Sequence, residues 1–231
     1  MSTRTHPLDR YPLWLTHWVG YRPTPPKKQP SHIVWFWSFI GAFSGLCVLQ
    51  AVFNYSHYFL RRHVPGVIAS YGASAVLVYG AIEAPLSQPR SLIGGHFLSA
   101  LIGVIITKLF ELMPDKQRLD SIRWIAGALS AATATVVMQI TGTTHPPAGA
   151  TALLAAVNQE VYEIGWYYLP VVLLSSTLVL AVALLVDNIQ RRYPLFWFSP
   201  AEVISAKPSE ELEGKSKRGR NRRTPAPTTM V

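Results

Sequence analysis

The sequence predicts an all-α polytopic membrane protein: a compact helical bundle of four full spans and two short Gly/Pro-broken helices, six apolar segments in total. Three observations carry that prediction. Of the 231 residues, 49% are hydrophobic and only 14% charged, which is more apolar than a typical soluble domain. The charges are segregated: of 21 Lys and Arg, 5 precede Ile33, 9 follow Val186 and 7 serve everything between. Uncharged runs of about 20 residues also recur, the length that a bilayer core asks of a helix. The formal charge of +9 is therefore a property of the tails, and no nucleic-acid partner is expected. The partner implied by this composition is the lipid bilayer.

Residues 1–32 form an N-terminal segment in which Tyr11, Leu13, Trp14, Leu15, Trp18 and Tyr21 interleave with Arg4, Arg10, Arg22, Lys27 and Lys28. Rings among bases suit the headgroup layer of a cytoplasmic leaflet, or a flexible tail with one interfacial turn. No apolar h-region is visible there, so no cleavable signal peptide is expected.

The membrane domain spans residues 33–200. Residues 33–53 hold no charge and are long enough to cross. Residues 64–82 are uncharged but broken by Pro65, Gly66, Gly72 and Gly80. Residues 91–110 are apolar up to Lys108, which can snorkel from a helix end. Residues 124–141 are short for a span, residues 144–157 are short and open on His-Pro-Pro, and residues 167–186 are a clean Leu/Val-rich span. Asp187 and Arg191-Arg192 close the region, and Tyr193, Phe196, Trp197 and Phe198 read as an aromatic belt. Residues 201–231 are a low-complexity basic tail, expected to be disordered, with Lys215, Lys217, Arg218, Arg220, Arg222 and Arg223 in one run. The single cysteine, Cys47, excludes an intramolecular disulfide or a cysteine metal cluster and reads as a small packing residue.

Two topologies are open, and both put the two termini on one side. If 64–82 and 144–157 enter and return, loop 111–123 with Lys116, Arg118 and Arg123 shares the side of the tails. If all six segments cross, that loop moves to the other side. Loop charges favour the first version, with both termini cytoplasmic.

The stretch Thr143-Thr144-His145-Pro146-Pro147-Ala148-Gly149-Ala150-Thr151 has the order of a helix start. Thr143 or Thr144 is placed to cap it, and the two prolines fit where no N–H is needed. Gly72-Ala73-Ser74-Ala75-Val76-Leu77 echoes Gly149-Ala150-Thr151-Ala152-Leu153-Leu154 at an offset of 77 residues, as a parallel repeat would. Paired Gly/Pro-broken segments point to a transport site, with Gly72 and Gly149 expected to permit close backbone approach. Ser91, Gly95, Ser99 and Gly103 form a small-residue stripe, as do Gly127, Ala131 and Thr135, and Gly41 and Gly45. The last span lacks one and is expected to face lipid along much of its surface.

The string His145-Pro146-Pro147-Ala148-Gly149-Ala150 resembles the HPP family of integral membrane proteins. So do Tyr71 to Val78, Glu83 to Arg90, and Gly94-Gly95-His96, in that order. The resemblance covers roughly residues 30–200. It implies four membrane-spanning helices and transport as the presumed activity, with nitrite the solute in some plastid and cyanobacterial members. The Arg191-Arg192-Tyr193-Pro194 ending and the basic tails look more like the fungal branch. No regulatory domain and no plastid-like transit peptide are seen.

The candidate pathway residues are His145, Pro146, Pro147, Gly149, Thr151, Gly72, Ser74, His96, Glu83, Gln88 and Arg90. His145 at membrane depth is a functional candidate, set against a histidine that merely bonds inside a helix break. Ser74 and Thr151 sit at matched positions, as solute contacts or as hydroxyls bonded back to their own helix. His96 lies about 100° from the small-residue stripe of its helix. Glu83 and Arg90 bracket a Pro-rich loop as an ion pair at a mouth or a gate, with Gln88 beside them. Free N–H groups and positive dipole ends of two half-helices would attract a small anion without a buried Lys or Arg. Metal and other cofactors are not expected, and a homo-oligomer is compatible with the stripes. The competing classes are a non-transporting assembly protein and a membrane-embedded enzyme; no HExxH and no Gly-x-Ser-x-Gly supports the latter.

Overall fold

Residues 11–22 and 29–199 are described by the structure, a computed structural model, and no strand occurs among them. The sequence-based expectations for residues 1–10, 23–28 and 200–231, the basic run 215–223 included, concern residues outside that set. The helices are α1 (Leu13–Trp18), α2 (Ser31–Tyr55), α3 (His57–Leu60), α4 (Ser70–Ala75), α5 (Gly95–Phe110), α6 (Lys116–Thr141), α7 (Pro146–Val157), α8 (Gln159–Ile164) and α9 (Tyr168–Gln190). A π-helical turn, Val76–Gly80, continues α4, and another, Arg90–Gly94, leads into α5.

Four helical stretches are long and apolar enough to cross a membrane: Ser31–Tyr55, Arg90–Phe110, Lys116–Thr141 and Gln159–Gln190. The protein is thus an all-α polytopic membrane protein with four long spans and two short segments. Each boundary has a local cause. Asp115 caps α6 by accepting from the Arg118 N–H at 3.1 Å. At the other end Gly142 takes φ +64°, a left-handed conformation open to glycine, while the Thr143 N–H returns to the Met138 carbonyl at 2.9 Å. Pro146 and Pro147 occupy the first two positions of α7, as expected. The cap itself is a correction: His145 holds the N-cap position with an extended φ of −141° and makes no side-chain cap bond. Thr143 instead bonds the Thr141 hydroxyl at 2.8 Å, and Thr144 reaches back to the Met138 carbonyl.

Contacts between elements decide the path of the chain. Residues 11–22 and 188–198 lie together at one end, the tail end. There the Asn188 carbonyl accepts from His17 Nε2 and from Arg22, each at 2.7 Å, and Trp197 donates to the Val19 carbonyl at 3.1 Å. The loop from Ala81 to Pro89 lies at this end too, where the Tyr193 hydroxyl donates to the Ser87 carbonyl at 2.7 Å. The segment before it starts at the far end, with Gly66 against Asn54 near the end of α2. It finishes with the Tyr79 carbonyl accepting from Ser38 near the start of α2 and from Arg191. Helix α7 likewise begins beside Gly95 and finishes where Arg123 donates to the Ala156 carbonyl at 2.9 Å and to the Gln159 side chain. Both short segments therefore run from end to end, and the chain passes between the two ends six times.

The enter-and-return version favoured by loop charge does not describe this chain, for a definite reason. Arg123 is not a free loop base. It caps the C-terminal carbonyls of α7 and lies 4.1 Å over the Tyr162 ring. Lys108 is paired with Glu111 at 2.8 Å, and Arg62 stacks on Tyr58 and Tyr167. In a Cys47→Ser background, cysteines at Tyr11 and Pro114 are expected to label from opposite faces of the membrane. Labelling from the same face would contradict six passes.

The matched stretches 72–77 and 149–154 also run in opposite directions, so any repeat here is inverted and not parallel. Packing corrects further expectations. The faces of the short helices that carry Gly72 and Gly149 are open, with nothing within 4 Å of a side chain placed at either. Close approach occurs instead at Gly41 and Gly45, which seat the Tyr79 ring, at Gly95 against His145, and at Gly103 against Ala152 and Ala155. The buried face of α6 is Ala126, Ser130, Ala134 and Met138 together with Gly127, while Thr135 is exposed and bonds back to the Ala131 carbonyl. Helix α9 is central, burying Val172, Ser175, Ser176, Val179 and Ala183 against α2, α5 and the α4 segment. The lipid-facing helix is α2, with Trp35, Phe36, Phe39 and Phe43 outward and Cys47 exposed among them. Of the proposed aromatic belt, Tyr193 and Phe196 are buried and only Phe198 is strongly exposed.

Candidate functional site

Where α4, α5 and α7 meet, five polar side chains from three separate stretches form a continuous array. Ser70, Ser74, His96, His145 and Thr151 are each 2% exposed or less. Ser70 Oγ lies 2.8 Å from Thr151 Oγ1, which lies 2.8 Å from His96 Nδ1. The other nitrogen of that ring, Nε2, is 2.7 Å from Ser74 Oγ, which is 2.9 Å from His145 Nε2. His145 Nδ1 is 2.8 Å from the carbonyl of Leu86 in the tail-end loop. Tyr71 stacks on His96 at 4.4 Å and sends its hydroxyl to the Val172 carbonyl and Ser176 of α9. Tyr168 donates to the Thr151 carbonyl at 3.2 Å.

The hydrogen positions follow from one fact: a carbonyl only accepts. Leu86 therefore requires a proton on His145 Nδ1, so in the neutral ring Nε2 accepts. Ser74 supplies that proton, because with its hydrogen on His96 Nε2 or on the Ser70 carbonyl the buried His145 Nε2 would be left unbonded. The Ser74 oxygen then accepts from His96 Nε2–H, leaving His96 Nδ1 to accept from Thr151, whose oxygen accepts from Ser70. Every bond in the array points the same way, from Ser70 toward Leu86. Buried polar groups are costly in hydrocarbon unless bonded, and here each one is.

The helix-terminal amides do not behave as expected. Pro146 and Pro147 carry no N–H, and the Ala148 N–H donates to the His145 carbonyl at 2.9 Å. At α4 the Tyr71 and Gly72 N–H groups are bonded to Ile68 and Ala69. None of these five positions offers a free amide to an anion, and the donors within the array are side chains.

Of the candidate residues, the fold brings Ser74, His96, His145 and Thr151 together. Pro146 and Pro147 shape the turn that delivers His145. Gly72 and Gly149 lie on outward-facing surfaces, not in the array. Glu83 is exposed and unpaired with Arg90, whose guanidinium donates to the carbonyls of Phe198 and Thr141. Arg90 therefore ties the start of α5 to the end of α6 and the residues after α9. Gln88 is not at a mouth either. It is fully buried, donating to the Ile82 and Ala84 carbonyls at 2.8 and 3.0 Å and accepting from the Leu195 N–H, so it holds the loop's shape. Ser70, Tyr71, Tyr168 and Ser176 belong to the site and were not anticipated; Ser70 lies one helical turn before Ser74, which is the signal that marks it. Asp187 in the last turn of α9 and Arg191 just after it form a second buried feature, an ion pair. The helix start is thus unconventional: its N-cap residue turns an imidazole into the array.

A family model described as the HPP transmembrane region matches residues 27–194. The chain belongs to the HPP transmembrane family. It is 37% identical over 196 residues to one transmembrane protein of Dictyostelium discoideum, covering 83% of this chain and 64% of that protein. A second Dictyostelium transmembrane protein is 36% identical over 186 residues, covering 78% of this chain and 56% of that one. The chain thus spans less than two thirds of the length of the curated relatives it matches. No solved structure matches it. Every member of the polar array lies inside the HPP region, and His145 of the His145-Pro146-Pro147 motif forms its end at Leu86.

Proposed function

We propose that this HPP protein is a membrane transporter or channel for a small solute, with a small inorganic anion such as nitrite as the first candidate. The path passes the array at His145 and Thr151 on α7, Ser74 on α4 and His96 on α5. The observation that supports this reading is the array itself. Polar side chains at membrane depth are rare, and they face solute or proton pathways by default. Two short helices overlap there by their first turns, as at the sites of transporters built from broken helices. Their dipoles bring two positive ends to one place, and the donors within the array are hydroxyl and imidazole groups. Nitrite itself is suggested only by the family resemblance.

Both ends of the chain are proposed to face the cytoplasm. The segments before α2 and after α9, with the loop that ends at Arg90 and with Asp187 at the end of α9, hold fifteen of the 21 bases against seven carboxylates; the far end holds six against five. The positive-inside rule then favours the tail end inside even with six passes.

A second reading has one observation behind it. Ser74 Oγ against His145 Nε2, with Nδ1 held by Leu86, is the geometry of a nucleophile, its base and an orienting acceptor. The orienting acceptor is a neutral backbone carbonyl and not a carboxylate, so nothing bonded to His145 stabilises the imidazolium that hydrolysis would form. Transport remains the function we put forward. Uptake of nitrite, nitrate, formate and bicarbonate into proteoliposomes tests it. Exchanging His145 for alanine is expected to cut uptake of the accepted anion at least roughly ten-fold, a loss of about 1.4 kcal/mol in the path. Unchanged uptake would remove His145 from the pathway.

A further inference from the structure

We propose that the array from Ser70 to His145 is a proton relay that couples solute passage to the movement of one proton. The proposal rests on the transport reading and adds the coupling ion. Its basis is the uniform direction of the hydrogen bonds. Ser70 donates to Thr151, Thr151 to His96 Nδ1, His96 Nε2 to Ser74, Ser74 to His145 Nε2, and His145 Nδ1 to the Leu86 carbonyl. Both rings are bonded at both nitrogens, and imidazole is the side chain that takes a proton at one nitrogen while releasing one from the other. No Asp, Glu, Lys or Arg is bonded to the array among the described residues. The other titratable side chains facing it are Tyr71, stacked on His96, and Tyr168, bonded to the Thr151 carbonyl.

The balance closes. A proton arriving at the Ser70 oxygen from water, or from the acid form of the solute, displaces the proton Ser70 already carried onto Thr151. Each member in turn passes its own proton on, and the last leaves from His145 Nδ1 to water at the tail-end loop, the Leu86 carbonyl being no base. No net charge stays behind, and both histidines end in the opposite tautomer. That second state is unstable where it stands. A bare His145 Nδ1 now faces the Leu86 carbonyl, two acceptors at a contact that was a hydrogen bond. His145 and the loop from Ala81 to Pro89 must separate before the array resets. Proton passage is thereby linked to motion of the tail-end loop that lies between the two π-helical turns and bonds His145.

The test uses the full chain in liposomes with a trapped pH dye and potassium–valinomycin to clamp the potential. Sodium nitrite is added outside, and protein-free liposomes are subtracted to remove leakage of nitrous acid. The wild type is expected to take up about one proton with each nitrite. Thr151→Val, close to isosteric, and Ser74→Ala are each expected to lower proton uptake about 100-fold, the lower range for loss of a positioned proton carrier. Thr151→Ser, which keeps the hydroxyl, is expected to restore it. Nitrite uptake by the wild type with no proton movement would overturn the relay and leave the transport reading standing. Variants that keep the wild-type rate of proton uptake would overturn it as well. If the wild type moves no nitrite, the nitrite reading fails and takes the relay with it. Because Thr151→Val preserves shape, it carries the test should Ser74→Ala not be recovered folded.

Discussion

Replacing Asp187 by alanine is expected to destabilise the protein by about 3–5 kcal/mol, the cost of removing one partner from a buried ion pair. Asp187 is 0% and Arg191 5% exposed, so solvent screens neither. The Arg191 guanidinium is bonded to Asp187 and to the Tyr79 carbonyl and Ser38 hydroxyl at 3.0 and 3.2 Å. It therefore joins the ends of α2, the α4 segment and α9, and without Asp187 it becomes an unbalanced buried cation. The double change Asp187→Leu with Arg191→Leu is expected to recover most of the loss, since two apolar side chains leave no orphaned charge. The measurement is the fraction remaining monodisperse in detergent after a temperature series. A single variant as robust as wild type, or a double variant worse than the single, would refute the assignment.

Gly103→Val is expected to cost about 3 kcal/mol, the upper part of the usual range for overpacking. A Cβ there would stand 2.6 Å from the Ala152 carbonyl oxygen and 2.8 Å from Ala155 Cβ. Backbone cannot rotate aside as a side chain can, so α5 and α7 would have to separate. That would also displace Thr151 from His96, and transport should fall with abundance. Gly72→Val and Gly149→Val are the controls, expected to stay within about 0.5 kcal/mol of wild type because nothing lies near either position. Equal loss of abundance in all three would mean that the short helices pack differently.

That contrast separates what was legible in the sequence from what was not. Gly149 and Gly103 look alike as letters, each a glycine among apolar residues. Their difference lies in which face of the helix meets a neighbour, and rotation of a helix about its axis is poorly marked when nearly every side chain is apolar. The same ambiguity displaced the packed face of α6 by one residue and made α9 look like a lipid-facing span. Loop charge misled for a related reason. Arg123 counts as a loop base on paper, whereas folding spends it on the carbonyls of Ala156 and the ring of Tyr162. Ser74, His96, His145 and Thr151 could be singled out because a polar group in an apolar run is rare; their mutual contact could not.

The sequence by itself determined that the chain is helical and membrane-embedded, that four segments are long enough to span, and that the HPP motif breaks a short helix. Those conclusions rest on transfer free energies and proline geometry, which act residue by residue and need no partner. The tertiary structure alone decided that both short segments traverse the bundle and that their first turns overlap antiparallel. It also decided that two histidines 49 residues apart share one serine, and that the Leu86 carbonyl sets the direction of every bond between them. Each of these is a relation between distant residues, created only when helices pack and every buried polar atom has to find its partner.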